Sequence, residues 1–293
     1  MNTSETTTQI FEQYRVLLFS IAYRMLGSAT DAEDIVQEAF LRWMQEAREE
    51  VQSSRAYLST IVVRLCINQL RSARAQREVY VGPWLPEPIA TDLRPELVDT
   101  TVLAESLSFA FLIMLEKLGP LERAAFLLHE VFEYPYSEIA VVIGKSEANC
   151  RQIFHRAQQH LGERSPRFNV SHEQQERITD QFMRASNGGD MQGLLNLLTE
   201  DIVFTGDSGG KVRLGHRVRG RDKVAHGSIA GLRPLLSIMQ SRREEVNGQP
   251  AIVGYVDGRP YGVLLLDIEG ERIRNIYAVA NPDKLRWLQN KTR

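Results

Sequence analysis

Apolar positions follow two different rhythms along this chain. From Ile10 to about Arg77 they recur at helical spacing, and Ile35, Val36, Ala39, Phe40, Trp43 and Met44 form a single apolar stripe. Val79 to Glu96 (VYVGPWLPEPIATDLRPE) then carries four prolines and a glycine. Proline fixes φ and removes a backbone donor, so this stretch predicts an extended linker rather than a helix. Helical periodicity resumes near Val102 and runs to Leu161, where the polar stretch GERSPRFN closes it.

Beyond about Ser171 the rhythm changes. Helical segments are predicted at Glu173–Asn187, Asp190–Leu198 and Asp222–Leu232. Strands are predicted at Ile202–Thr205, Leu236–Val246, Ala251–Val256, Tyr261–Ile268 and Arg272–Ala280. Asn247-Gly248, Asp257-Gly258 and Glu269-Gly270 separate the last four. Asn-Gly and Asp-Gly favour two-residue hairpins because both central positions need positive φ. The C-terminal part therefore reads as α+β with a curled antiparallel sheet.

Composition narrows the class. A chain of 293 residues with 43% hydrophobic and 25% charged side chains has enough apolar surface for two or three cores. Its net charge of −2 excludes a uniformly basic coat for nucleic acid, so such binding would need local patches. Cys66 and Cys150 are too few for a disulfide scaffold and lack the spacing of a zinc site. The N-terminal sequence has no basic start followed by an apolar run, and no apolar run approaches the ~18 residues that cross a bilayer. The expectation is a soluble protein of a reducing compartment, the cytoplasm, with no membrane partner, no cofactor and no metal.

Charge patterning adds chemistry. Between Asp31 and Glu50 lie seven acids (Asp31, Glu33, Asp34, Glu38, Glu46, Glu49, Glu50) against two bases, whereas Arg55 to Arg77 holds five arginines and no acid. This switch of sign suggests two partners of opposite charge. At ~100° per residue, Arg64, Asn68 and Arg71 share one helical side with Arg74 at its margin, away from Leu58, Ile61, Val62 and Leu65. Such a face presents guanidiniums and an amide outward for phosphate and base contacts, or else is an ordinary solvated surface. Further on, Ser137 is a candidate N-cap for a short helix to Ile143. Gly144 supplies a turn, and Ser146-Glu147 opens a longer helix to about Leu161. Cys150, Phe154, Ala157 and Leu161 form its buried stripe and leave Asn149, Gln152 and Arg156 free. Helix, glycine turn and a second helix with polar leading residues is a helix-turn-helix pattern; many helical hairpins look alike, however, and Arg151 and Arg156 could be plain surface residues.

Several ordered motifs carry a resemblance. FSIAYRMLGSATDAEDIVQEAFLRW (Phe19–Trp43) and SRAYLSTIVVRLCINQLRSARAQRE (Ser54–Glu78) resemble the sigma-two domain of extracytoplasmic-function (ECF) sigma factors. LGPLERAAFLLHEVFEYPYSEIAVVIGKSEANCRQIFHRA (Leu118–Ala157) is similar to their sigma-four domain. The linker Trp84-Leu85-Pro86-Glu87-Pro88 and the tail Asn281-Pro282-Asp283-Lys284-Leu285 are similar to motifs of the SigJ-like group, which appends a SnoaL-like domain. That group's Asp-Gly-Gly-Gly-Lys loop reads Asp207-Ser208-Gly209-Gly210-Lys211 here; the serine implies a position without positive φ.

The resemblance implies a multidomain architecture: two all-α DNA-binding domains followed by an α+β SnoaL/NTF2-like domain with a cone-shaped sheet. Its bounds are sigma-two at 8–78, the proline-rich linker at 79–101, the sigma-four helix-turn-helix at 102–164 and the SnoaL-like domain at 171–293. The implied partners are core RNA polymerase, through its β′ and β subunits, and promoter DNA as duplex and as melted non-template strand. Asp31, Glu33, Asp34 and Glu38 would dock on the polymerase β′ coiled coil. The segment from about Glu49 to Ser54, with Arg55, Tyr57, Arg64, Asn68, Arg71 and Arg74, would engage the minus-ten element. Trp43 is a further candidate there, although its spacing from Phe40 suits core packing better. Ser146, Asn149, Arg151, Gln152 and Arg156 would read the minus-thirty-five element. The third domain would regulate internally in place of a separate anti-sigma factor, with Trp84 to Pro88 docking near Asn281–Leu285 and the Asp207–Lys211 loop taking part. Some SnoaL-like folds are cyclases or isomerases, which would cast Asp207, His216 or His226 as acid or base; the expectation is that this chain is not an enzyme. A small molecule in the SnoaL-like pocket is left open.

Overall fold

Local chemistry sets the first helix boundaries. Helix α1 (Thr3–Leu26) ends where Gly27 adopts a φ of 68° and its N–H bonds the Tyr23 carbonyl at 2.7 Å. Ser28 then caps α2 (Ala29–Gln45), its Oγ accepting from the Asp31 N–H at 3.1 Å. The chain continues through α3 (Ser54–Arg77), α4 (Thr101–Leu107), α5 (Phe109–Leu115), α6 (Pro120–Phe126), α7 (Tyr136–Ile143) and α8 (Glu147–Leu161). The C-terminal part holds α9 (His172–Gly188), α10 (Met191–Leu197), β1 (Leu198–Asp207), β2 (Arg217–Arg219), α11 (Arg221–Leu232), β3 (Met239–Val246), β4 (Gln249–Val256), β5 (Arg259–Glu269) and β6 (Arg272–Val279). This computed structural model describes residues 3–45, 53–77, 80–91, 95–98, 101–162 and 170–288. Glu46, Glu49, Glu50 and positions 49–52 lie outside the described residues, as do the side chains of Arg74 and Arg77.

Contacts divide the chain into two units, Met1–Glu78 with Phe111–Ser165, and Val79–Ala110 with Pro166–Arg293. In this division α4 groups with the C-terminal elements, and the boundary falls inside α5.

In the first unit the apolar stripe of α2 is buried: Ile35, Val36, Ala39 and Trp43 are at most 6% exposed, and the Trp43 Nε1–H donates to the Thr7 carbonyl at 3.1 Å. Trp43 is core, as its spacing suggested. Cys66 and Cys150 are buried free thiols, and burial pushes both upward from the ordinary thiol range. α6 runs on into a π-helical turn at Leu127–Val131. Pro135, not Ser137, is the N-cap of α7, since the proline already supplies the extended φ at the boundary. Gly144 caps its C-terminus with φ 67°, and the Ser146 Oγ caps α8 by accepting from the Asn149 N–H at 3.3 Å.

The second unit is α+β, three helices beside one sheet. Its six-stranded sheet has the order β2-β1-β6-β5-β4-β3. The sheet is mixed rather than wholly antiparallel, because β1 runs parallel to β6, with Phe204 opposite Ile276. β2 was not anticipated, being only three residues long, and β1 begins at Leu198, directly after α10. Helices α9, α10 and α11 bury Ile178, Phe182, Leu194 and Val224 against Ile202, Ile252 and Ile276 of the sheet. The β3–β4 turn has positive φ at Asn247 (55°) and Gly248 (69°), and the β4–β5 turn at Asp257 (49°) and Gly258 (72°), as type I′ chemistry requires.

Asn247 does more than turn the chain. It is fully buried; its Oδ1 accepts from the Ile89 N–H at 2.9 Å and its Nδ2 donates to the Leu107 carbonyl at 3.0 Å. The Asn247 N–H bonds the Ile89 carbonyl at 2.9 Å, and the Thr91 N–H bonds the Glu245 carbonyl at 3.0 Å. The proline-rich stretch is thus a strap laid along the end of the β3–β4 hairpin. Asn247→Gly keeps the turn and deletes only the side-chain bonds. Each buried group left unpaired costs ~1–3 kcal/mol, so a loss of about 2–4 kcal/mol is expected in urea unfolding of the full chain. A loss under about 0.5 kcal/mol would show that these bonds do not hold the strap.

Candidate functional site

The acidic face of α2 is where its sequence placed it. Asp34 and Glu38 are exposed, and Asp31 and Glu33 are half-exposed. Glu33 pairs with Arg15, and Glu38 bonds Arg42 at 2.9 Å one helical turn on. Exposed pairs of this kind contribute little and exchange readily, so the carboxylates stay available to a cationic partner.

The arginine helix differs from expectation. Asn68 and Arg71 face outward, yet the Arg64 guanidinium is not free: its Nε and a terminal nitrogen donate to the Val142 and Val141 carbonyls, each at 3.1 Å. These acceptors belong to the last turn of α7, where carbonyls lack helical partners and a cation is favoured. Arg55 donates to the Tyr134 hydroxyl at 3.2 Å and stacks over its ring at 4.6 Å. That hydroxyl also lies 2.8 Å from the Ser59 Oγ, and Tyr57 contacts the Trp43 ring at 5.9 Å. On the other side Arg123 donates to the Met25 carbonyl at 2.6 Å and pairs with Glu116 at 2.9 Å. These contacts fasten α1 and α3 to α6 and α7.

On α8 the stripe of Cys150, Phe154, Ala157 and Leu161 is buried, and Gln152 and Arg156 are exposed. Asn149 is half-buried and Ser146 is occupied in capping. Arg151 pairs with Glu147 at 3.0 Å and lies over the Tyr136 ring at 5.2 Å, so it is held in place rather than loose. Tyr134 and Tyr136 were not singled out from the sequence; a tyrosine pair just before a short helix gives no sign of its distant arginine partners.

The second unit gathers the linker, loop and tail motifs at one carboxylate. Asp207, at the end of β1, is fully buried. Its Oδ1 accepts from the Tyr80 hydroxyl at 2.5 Å and the Gly209 N–H at 3.1 Å. Its Oδ2 accepts from the Leu85 N–H at 2.8 Å and the Lys284 Nζ at 2.7 Å. Lys284, 6% exposed, also donates to the Leu85 carbonyl at 2.5 Å and lies 4.3 Å from the Trp84 ring. The Asn281 Nδ2 donates to the Tyr80 hydroxyl at 2.9 Å, and Asn281 caps the short 3-10 helix Pro282–Lys284. Burial and the Asp207 hydrogen bond raise the Tyr80 phenol well above its ordinary range. Lys211 bonds Asp283 at 2.5 Å and holds that carboxyl below the usual range. Leu85, Pro86, Glu87, Pro88 and Leu285 are all buried.

The loop shows why two glycines are needed and a third is not. Gly209 has φ 56°, and a Cβ there would stand 2.5 Å from the Asn281 amide nitrogen; at Gly210, φ 74°, it would press on Val81 at 3.1 Å. Ser208 is not among the positive-φ residues, and its Oγ accepts from the Gly210 N–H at 3.3 Å. Sequence reasoning overlooked Tyr80 and Asn247. A tyrosine inside a proline-rich stretch was the available signal for the first; for the second, turn chemistry accounted for the asparagine and hid its buried amide.

Comparison with known proteins fits this geometry. Residues 10–76 match Sigma-70 region 2, and residues 109–161 match Sigma-70, region 4. Two helical regions of this kind, in this order, define a sigma factor. The chain is 36% identical to the ECF RNA polymerase sigma factor SigJ of Mycobacterium tuberculosis, covering 94% of this chain and 91% of that protein. It is 32% identical to a probable ECF RNA polymerase sigma factor SigI of the same organism, covering 97% of each. The crystal structure of Mycobacterium tuberculosis SigJ superposes with a TM-score of 0.75 at 35% identity, covering 94% of this chain and 97% of that one. The chain belongs to the extracytoplasmic-function family of RNA polymerase sigma factors. It is accordingly a transcription initiation factor that works with core RNA polymerase at promoter DNA, and no described helix is long and apolar enough to cross a membrane.

The clamp gives a direct expectation. Asp207→Asn keeps the shape but leaves the buried Lys284 ammonium without its counter-charge, a change that costs ~3–5 kcal/mol where a buried pair is broken. Chymotrypsin should then cut the full-length protein near Tyr80 and Trp84 at least ~10-fold faster than wild type, since protection scales with the free energy of local opening. Equal rates would show that the carboxylate does not hold the strap.

Proposed function

We propose that this ECF sigma factor carries its own regulator, the C-terminal unit, which acts by holding residues 80–91 and so replaces a separate anti-sigma protein. The observation that carries the reading is the buried Asp207–Lys284 pair, at 2.7 Å, closed over Tyr80 and Leu85 of the segment that joins α3 to the region 4 helices. A sigma factor must reach two promoter elements at a set separation, and joined modules reinforce each other only when the link lets both engage. With the strap held, little free chain joins α3 to α5. With the Arg64 and Arg55 contacts closed, α3 and α7 stay together. Releasing the strap lengthens the link and lets those guanidiniums exchange protein acceptors for phosphates.

In this reading the exposed carboxylates of α2, Asp34 and Glu38 above all, dock on a basic surface of the polymerase β′ subunit, with further contacts to β. Arg55, Tyr57, Arg64, Asn68, Arg71 and Arg74 engage the minus-ten element, where opened bases stack and phosphates pair with guanidiniums. Gln152 and Arg156, exposed on the capped helix α8, lie nearest the groove of the minus-thirty-five element, with Asn149 and Arg151 beside them. Ser146 acts there through its cap, which sets the helix N-terminus toward a phosphate. An enzymatic role for Asp207 is disfavoured by its four committed donors, which leave no free lone pair for a substrate proton.

Two outcomes are expected. Asp34→Lys with Glu38→Lys should weaken association with core polymerase ~10-fold at low salt, and less at high salt as screening removes the repulsion. Equal affinity at low salt would exclude this docking face. In run-off transcription with saturating core polymerase, full-length Asp207→Asn should change output at least ~5-fold relative to wild type, as expected if most of a broken-pair cost biases the held state. Unchanged output together with a protease-sensitive strap would separate strap from activity and overturn the regulatory reading.

A further inference from the structure

The second unit holds a cavity of about 280 Å³, near the lower end of the range for ligand pockets. Its wall is largely apolar, with Phe182, Phe204, Leu214, Leu235, Ile252 and Leu264 contributing. The helix that roofs it has room to spare: a Cβ at Gly227 or Gly231 of α11 would meet nothing within 4 Å. Gly254, on β4, shows the opposite constraint, since a Cβ there would stand 2.6 Å from the Met239 sulfur, which also lines the cavity.

The polar groups are sparse and of one sign. No carboxylate and no imidazole stands among the described lining residues, whereas Arg213 and Lys223 both do. Both cations are exposed at the mouth, and neither forms an ion pair among the described residues. Deeper, Ser186 on α9 lines the same space at 3% exposure, and its Oγ has no hydrogen-bond partner among the described residues. A buried hydroxyl is ordinarily satisfied, so this one calls for an oxygen from outside the chain.

We infer that this cavity is a binding site for a small amphiphilic monocarboxylate. The ligand's apolar body fills the space under α11, its carboxylate sits between Lys223 and Arg213, and an oxygen on its body bonds Ser186. Asp207, His216 and His226, the acid-base candidates that the sequence offered, are absent from the wall, so none of the three meets the ligand there.

The test is calorimetric titration of the full-length protein with decanoate, 10-hydroxydecanoate and decan-1-ol. Saturable binding of decanoate is expected, ~5–10-fold tighter than decan-1-ol, the margin two exposed cations supply. The double variant Arg213→Met/Lys223→Met should erase that margin. Gly231→Leu, with unchanged circular dichroism, should abolish binding of all three by filling the open space. 10-Hydroxydecanoate should bind more tightly than decanoate, and Ser186→Ala should remove the difference. Absence of saturable binding, or decanoate binding that survives Gly231→Leu, overturns the assignment. The titration needs neither polymerase nor promoter, so its failure would leave the transcriptional reading untouched.

Discussion

One buried carboxylate organises the second unit. Asp207 lies at the end of β1, where the parallel β1–β6 pairing brings it beside the tail that follows β6, and the Ala280 N–H bonds its carbonyl at 2.8 Å. Burying a charge is tolerable only when its lone pairs are filled, and here a phenol, two backbone amides and an ammonium fill them. Two of those donors, Tyr80 and Leu85, come from the strap. The same interaction that stabilises the sheet's end therefore fixes a segment otherwise too rich in proline to fold by itself. Asn247 repeats the device at the far end of the strap with a buried amide that accepts from the strap's Ile89 N–H and donates to the Leu107 carbonyl at the end of α4.

The first unit uses cations in a comparable way. Arg64 meets the open carbonyls at the end of α7, Arg55 meets Tyr134, and Arg123 meets the end of α1. The acceptors of Arg64 and Arg55 are neutral, whereas Arg123 also pairs with the Glu116 carboxylate. A phosphate forms charge-assisted bonds that are stronger than those to carbonyls, so DNA is a competent rival for the guanidiniums of α3. In the proposed reading, the Arg64 and Arg55 face of α3 is satisfied by neutral protein groups when closed, with no ion pair at either arginine to break before a phosphate takes their place.

Local chemistry was legible in the sequence and distant pairing was not. The I′ turns at Asn247-Gly248 and Asp257-Gly258, the Ser146 cap, the Gly144 turn and the buried stripe of α8 all follow from residues within a few positions of each other. The parallel β1–β6 pair joins strands about seventy positions apart, which no periodicity can signal, and a three-residue strand such as β2 is too short to show alternation. The helix-to-strand passage at Leu197–Leu198 was obscured because leucines serve either element equally well. At the sites, exposure of Asp34, Glu38, Gln152 and Arg156 agreed with helical phase. The partners of Arg64 are backbone carbonyls, which have no sequence identity, and so its engagement could not be read. Motif resemblance brought Asp207 and Lys284 to notice separately; only their juxtaposition shows that they are one clamp.

Amide hydrogen exchange on the full-length wild-type protein, resolved at Leu85, Ile89 and Thr91, tests the clamp most directly. These N–H groups bond Asp207, Asn247 and Glu245, and they should exchange as slowly as the central amides of β4 and β5, opening only when the C-terminal unit unfolds. Exchange at the rate of an unstructured peptide would contradict a held strap, and with it the regulatory role given to the C-terminal unit.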